Sequence, residues 1–128
     1  MQNVVKGIAR DELPYVMSMY HFIIGDELHD MLSWYIGTQH AFSVAPGKMG
    51  KYFKNFLPES MYAQYKSIYA DADYKHIWDA VFAACALFRE AAQTVGEVLG
   101  YAYNLQDDEN MLLYLRRVHR EWEDACAL

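Results

Sequence analysis

Apolar residues recur every three or four positions along most of this chain, the period of an amphipathic helix, and neither a β-hairpin nor a strand–helix alternation interrupts them. Residues 1–10 read as a short lead-in. Asp11 is placed to N-cap a first helix, with Pro14 in its opening turn and Leu13, Val16, Met17, Tyr20 and Ile24 as its apolar series. Gly25 is expected to end or loosen that helix and Asp26 to cap the next. The next stripe is Leu28, Met31, Leu32, Tyr35 and Ile36, running on past Gly37 towards Ala41. From Phe42 to Gly50 the pattern fades among two glycines and a proline. Met49, Phe53, Phe56 and Leu57 resume it in a short helix. After Leu57-Pro58-Glu59 comes a helix faced by Met61, Tyr62, Tyr65, Ile68 and Tyr69. Asp71 or Asp73 caps the strongest helix, Tyr74 to Leu99, and Gly100 takes its C′ position. Residues 101–104 form a connector. The last helix starts at Asp107-Asp108-Glu109 and carries Arg116, Arg117 and Arg120 further along, with Met111, Leu112, Leu115, Val118, His119 and Trp122 towards the core. The pattern predicts an all-α fold, a five- or six-helix bundle, with residues 1–128 as a single helical domain.

Composition narrows the function classes. With 128 residues the chain can bury one core but not two. Aromatics at 16% and a hydrophobic fraction of 54% exclude a disordered chain. The net charge of -6, from 11 basic and 17 acidic residues, speaks against a nucleic-acid surface and suits a polycationic ligand. No run approaches 18 uncharged apolar residues and the N-terminus lacks a signal-type apolar segment, so no membrane span is expected and the cytoplasm is the default location. Cys85 and Cys126 sit in no metal or redox motif and are expected to stay reduced.

Three groups could carry chemistry. Lys48, Lys51 and Lys54 recur every third residue behind Pro46-Gly47, so a helix would project them from one broad side and bring Lys48 near free backbone N–H groups, as a phosphate site requires. A solvated lysine face explains the same spacing. A P-loop is excluded, since Met49 stands where its hydroxyl residue belongs. The acidic set Asp26, Glu27 and Asp30 gathers around His29, and Asp26 and Asp30, four apart, share a helix face. Capping and surface charge account for most of these groups; a contact from Glu12, Asp26 or Asp30 to a cationic ligand is the alternative. No HExxH or cysteine pair supports a metal site. Trp34-Tyr35, Tyr52 and Trp78 could line a pocket or, by their helical spacing, the core, and Asp71-Ala72-Asp73 lacks the Gly-Ser element that precedes a two-metal nucleotidyl site. No self-sufficient catalytic set is visible.

The ordered runs Asn3 to Ile8, Arg10 to Tyr15, Met31 to Gly37, Phe42-Ser43-Val44, Gly47 to Tyr52, Tyr74 to Ala80, Phe88-Arg89-Glu90 and Gly100 to Asn104 span nearly the whole chain. In them the sequence closely resembles the C-terminal helical domain of aminoglycoside 6-adenylyltransferases, also called streptomycin adenylyltransferases. The resemblance implies an enzyme built of a nucleotidyltransferase domain and this helical domain, transferring AMP from Mg-ATP to a hydroxyl of a streptomycin-type drug. The magnesium carboxylates belong to the first domain, which is absent from these residues. This chain alone is therefore expected to be inactive and to bind neither magnesium nor another cofactor by itself. What the resemblance carries over is a supporting role: Lys48, then Lys51, on the ATP phosphates; Asp11 and Glu12 facing the cationic drug; Trp34 or Tyr35 packing on the cleft side. Three functions stay open: the substrate-binding half of such an enzyme; a stand-alone helical binding protein, pairing in trans with a nucleotidyltransferase subunit or not; and a scaffold that binds nothing. An apolar face left by the missing domain could equally be covered in a homodimer.

Overall fold

Helix α1, Gln2–Ala9, occupies the residues read as a lead-in. Val4, Val5 and Ile8 fall on one side of its two turns and are all buried. Its end explains the fate of Asp11. The Asp11 and Glu12 N–H groups donate to the Ile8 and Gly7 carbonyls at 3.1 and 2.9 Å, and Asp11 takes the left-handed conformation at φ 55°. That is a Schellman ending with an aspartate where glycine is usual. Asp11 thus terminates α1, two residues ahead of Leu13, where the next helix begins.

The structure, a computed structural model describing residues 1–128, is all-α. It has helices α1, α2 (Leu13–Ile23), α3 (His29–Gln39), α5 (Glu59–Lys66), α6 (Tyr74–Leu99) and α7 (Leu105–Cys126), with a four-residue turn α4 (Phe53–Phe56). Counting those of eight residues or more gives six, within the expected five or six. The chain forms two compact units, Met1–Phe22 with Asn104–Leu128, and Ile23–Tyr103.

In the first unit α1 packs on α7, and Gly7 permits the close approach of α2: a Cβ there would lie 2.7 Å from Val16 Cγ2. Val16 and Tyr20 of α2 and Leu115 of α7 are buried. Of the α7 residues expected to face inward, only Leu115 is fully covered; Met111, Leu112, Val118, His119 and Trp122 are half-buried. The Asn104 side chain, in the presumed connector, caps α7 by accepting from the Asp107 N–H at 3.1 Å.

In the second unit α6 is the central element, packed by α3 and α5. Its boundaries match the expectation: Asp73 accepts from the Lys75 N–H at 2.9 Å at the start, and Gly100 at φ 82° closes the end. Ala80, Ala84, Ala91, Ala92 and Gly96 give it a narrow buried face, which lets neighbouring helices approach closely, while Trp78 and Leu87 supply bulk.

Gly25 does not break the helix. Residues Ile24–Leu28 form a π turn, with the His29 N–H bonded to the Ile24 carbonyl, and helical backbone passes straight into α3. Asp26 therefore caps nothing. α3 ends at Gln39, where Ala41 and Phe42 both adopt positive φ and the Phe42 N–H donates to the Gly37 carbonyl at 2.8 Å. The Phe42 ring lies over Gly37, where a Cβ would come within 2.5 Å of it.

Candidate functional site

The π turn and α3 present one ridge of side chains to solvent in the second unit. Asp26, Glu27 and Asp30 project from it together with Trp34, and Phe88 of α6 and Met31 complete an open cleft of about 310 Å³. Spacings of four and eight residues from Asp26 put Asp30 and Trp34 along one helix side. The three carboxylates are exposed, and Trp34 leaves 52% of its surface free although its neighbours Leu32 and Ile36 are fully buried. An accessible indole beside three carboxylates can hold an organic cation, the ring quadrupole attracting the charge and the carboxylates accepting its N–H groups.

Beneath one side of this ridge lies an aromatic cluster. His29 Nε2 shares a hydrogen bond of 2.7 Å with Tyr65 Oη, which shares one of 2.8 Å with Tyr69 Oη. Phe53 stands edge-on to both His29 and Tyr65, with ring centroids 5.2 and 5.6 Å apart, and Tyr62 stacks on Tyr65. Burial lowers the His29 pKa from 6.5, against the upward pull of Asp30. Burial also drives the Tyr65 hydroxyl well above the ordinary tyrosine range, aided by its hydrogen bond to Tyr69.

The candidate residues are dispersed. Trp34 does line the cleft. Tyr35 faces the other way: only 9% of it is exposed, and burial, then the Glu90 charge, raise its pKa from 10.0. Asp11 and Glu12 are exposed in the α1–α2 turn of the first unit, and the Glu12 carbonyl accepts the first bond of α2 from Val16 N–H at 3.0 Å. Lys48, Lys51 and Lys54 are exposed but do not share a helix. Lys48–Gly50 is a single 3₁₀ turn, Lys51 follows it with its ammonium 5.0 Å from the Tyr52 ring centroid, and Lys54 lies in α4. Met49, expected on the apolar side of a short helix, has φ 56° and is 83% exposed. The loop thus lacks the helix N-terminus that would have helped an anion. Phe88 was not separable from the core series of α6, since nothing local marks which member of a broad apolar face will stay half open.

No group of three or more His, Cys, Asp or Glu side chains is arranged to hold a metal ion. No helix is long and apolar enough to cross a membrane.

Fold and cleft together describe an all-α module with an open cleft lined by three carboxylates, an exposed indole and two apolar side chains. Residues 1–118 match the family model described as streptomycin adenylyltransferase, and the chain belongs to that family. Over 106 residues, 83% of the chain, it is 35% identical to an aminoglycoside 6-adenylyltransferase of Campylobacter jejuni, and over 105 residues 32% identical to one of Bacillus subtilis (strain 168). It spans 37% of the length of each of these relatives. A crystal structure of an aminoglycoside 6-adenyltransferase from Bacillus subtilis superposes with a TM-score of 0.77 at 29% identity, covering 92% of this chain and 44% of that one.

Proposed function

We propose that this chain is the substrate-binding helical portion of an aminoglycoside 6-adenylyltransferase-like enzyme, and that its cleft at Asp26, Glu27, Asp30 and Trp34 receives the cationic drug. The observation that carries this is the half-exposed Trp34 set among three exposed carboxylates in one cleft. Guanidinium and ammonium groups of a streptomycin-type molecule would stack on the indole and pair with the carboxylates. Asp11 and Glu12, exposed in the α1–α2 turn, would be further carboxylates for the drug by the family resemblance, and Tyr35 would support the ridge from inside. In the complete enzyme AMP would pass from ATP to a drug hydroxyl. Lys48 and Lys51 would then neutralise triphosphate charge on a nucleotide held by a nucleotidyltransferase domain, in cis or in trans. The exposure of both lysines supports that role.

The test is calorimetric titration of the purified chain with streptomycin and with ATP, alone and mixed with a separately supplied nucleotidyltransferase domain. Saturable streptomycin binding that weakens with added salt is expected from the chain alone, and adenylylation only from the mixture. Absence of streptomycin binding up to millimolar concentration would sink the cleft assignment. AMP transfer by the chain alone would overturn the supporting role.

A further inference from the structure

His29 stands between the aromatic cluster and the acidic ridge of the cleft. Its side chain lies in the aromatic cluster of α4 and α5, hydrogen-bonded through Tyr65 to Tyr69, whose ring is half exposed. Its backbone neighbour Asp30 is a wall of the cleft, and Ser33 Oγ donates to the His29 carbonyl at 2.8 Å. We propose that His29 regulates the cleft as a proton-dependent modulator: neutral when a cation occupies the Asp26–Asp30 ridge, and antagonistic to that cation when it takes up a proton. This rests on the cleft being the cation site proposed above.

The groups around His29 leave it as the one nearby side chain suited to change charge near neutral pH. On its own helix Asp30 is the charge whose field reaches it; from the π turn come the carboxylates Asp26 and Glu27. Phe53 of α4 carries no charge; α5 brings the phenols Tyr62 and Tyr65 and the Lys66 ammonium, 5.7 Å from the Tyr62 ring centroid, with the phenol Tyr69 beyond it. From α6, Phe88 is neutral and Glu90 acts on Tyr35 while its Oε2 accepts from Gln64 Nε2 at 3.1 Å. An imidazole changes charge closer to neutral pH than a carboxylate or a phenol does. A half-buried ring among aromatic walls is poorly solvated, so its positive charge is felt by a cation seated on the adjacent residue.

Linkage makes the antagonism reciprocal: a proton on His29 weakens cation binding by the factor by which the cation weakens proton binding. The experiment measures streptomycin affinity of the intact chain by calorimetry at pH 7.5 and 5.0, where the drug's guanidinium groups stay charged. Alongside it, the His29 ring resonance is followed by NMR across the same range with and without saturating streptomycin. Affinity should fall about three- to tenfold on acidification, and the His29 midpoint should move down by about half to one pH unit when the cleft is filled. In His29→Gln most of the pH dependence should vanish while affinity at pH 7.5 is retained. Should that variant not fold, the NMR titration of the unaltered chain decides alone. A His29 midpoint unmoved by bound drug overturns the proposal. So does a pH dependence that is the same in a folded His29→Gln chain. No streptomycin binding at pH 7.5 would instead strike the cleft assignment itself, a distinguishable failure.

Discussion

Neutralising the cleft with Asp26→Asn, Glu27→Gln and Asp30→Asn should move affinity and stability in opposite directions. A cation about 5 Å from one carboxylate, at an effective dielectric of roughly 40 to 80 for so open a site, gains about 0.8–1.7 kcal/mol. The three carboxylates cannot all be that close, and salt screens the more distant ones, so together they contribute about 1.5–3 kcal/mol. Affinity for streptomycin should therefore drop about ten- to a hundredfold. The fold should not suffer, because all three groups are exposed and none of them caps a helix. Asp26 and Asp30 stand four residues apart as like charges, an arrangement that costs a helix about 0.2–0.5 kcal/mol. Removing it should raise the melting temperature by about 1–2 °C. Calorimetric titration gives the first quantity and a circular-dichroism melt the second. Undiminished affinity in the folded triple variant would refute the cleft as the cation site. A fall in affinity accompanied by a loss of several degrees would refute the claim that these carboxylates are separable from the fold.

Other expectations concern the scaffold and its titrating groups. Gly96→Ala should cost about 1–3 kcal/mol in chemical denaturation, because its Cβ would lie 2.8 Å from the Tyr101 carbonyl oxygen, a backbone atom that moves only if the end of α6 opens. Asp73→Ala should cost about 1 kcal/mol through loss of the cap on Lys75 N–H; an unchanged denaturation midpoint would show that Asp71 substitutes for it. The two perturbed histidines should act with opposite sign. His29, held below 6.5 by burial, contributes stability that is present above pH 6.5 and lost as pH falls through its folded value. His76, raised above 6.5 by its 2.8 Å bond to Asp71, contributes stability present below pH 6.5 and lost as pH rises through its folded value. Melting profiles of His29→Gln and His76→Gln between pH 5 and 8 should each flatten the corresponding limb, and flattening of the wrong limb would contradict the assignment.

How much of this could be read from residues alone depended on how local each determinant was. α6 was legible to the residue because its apolar series, its aspartate cap and its glycine stop all agree. α1 was not, since two turns bearing Val4, Val5 and Ile8 are too short to establish a period and are fixed by packing on α7. The helix implied by the lysine spacing does not form for a related reason: Gly47, Met49 and Gly50 all take positive φ and wind the chain into a 3₁₀ turn. Glycine predicts such a turn; Met49 does not, because a left-handed methionine is held by its surroundings. The acidic residues were noticed as a group, but whether they were caps or a cation surface turned on whether the helix broke at Gly25.

That break had a sequence signature pointing the other way. In the second unit Ile24, Leu28, Leu32 and Ile36 recur at intervals of four, and all are buried. On an α-helix each such step advances the stripe by about 40°, so three steps would carry it about 120° round. An underwound turn at the start of that series offsets part of the drift. The π turn at Ile24–Leu28 does this by lengthening one turn by a residue, and Gly25 sits inside it with open space where a Cβ would be. Gly25 therefore marks an underwound turn within a continuing helix. Because the backbone stays helical there, Asp26 and Glu27 remain on the same ridge as Asp30 and Trp34, instead of turning back to cap a new helix. A stripe spaced by four from Ile24 to Ile36 thus marks a helix that runs on past Gly25, the arrangement on which the proposed cation site depends.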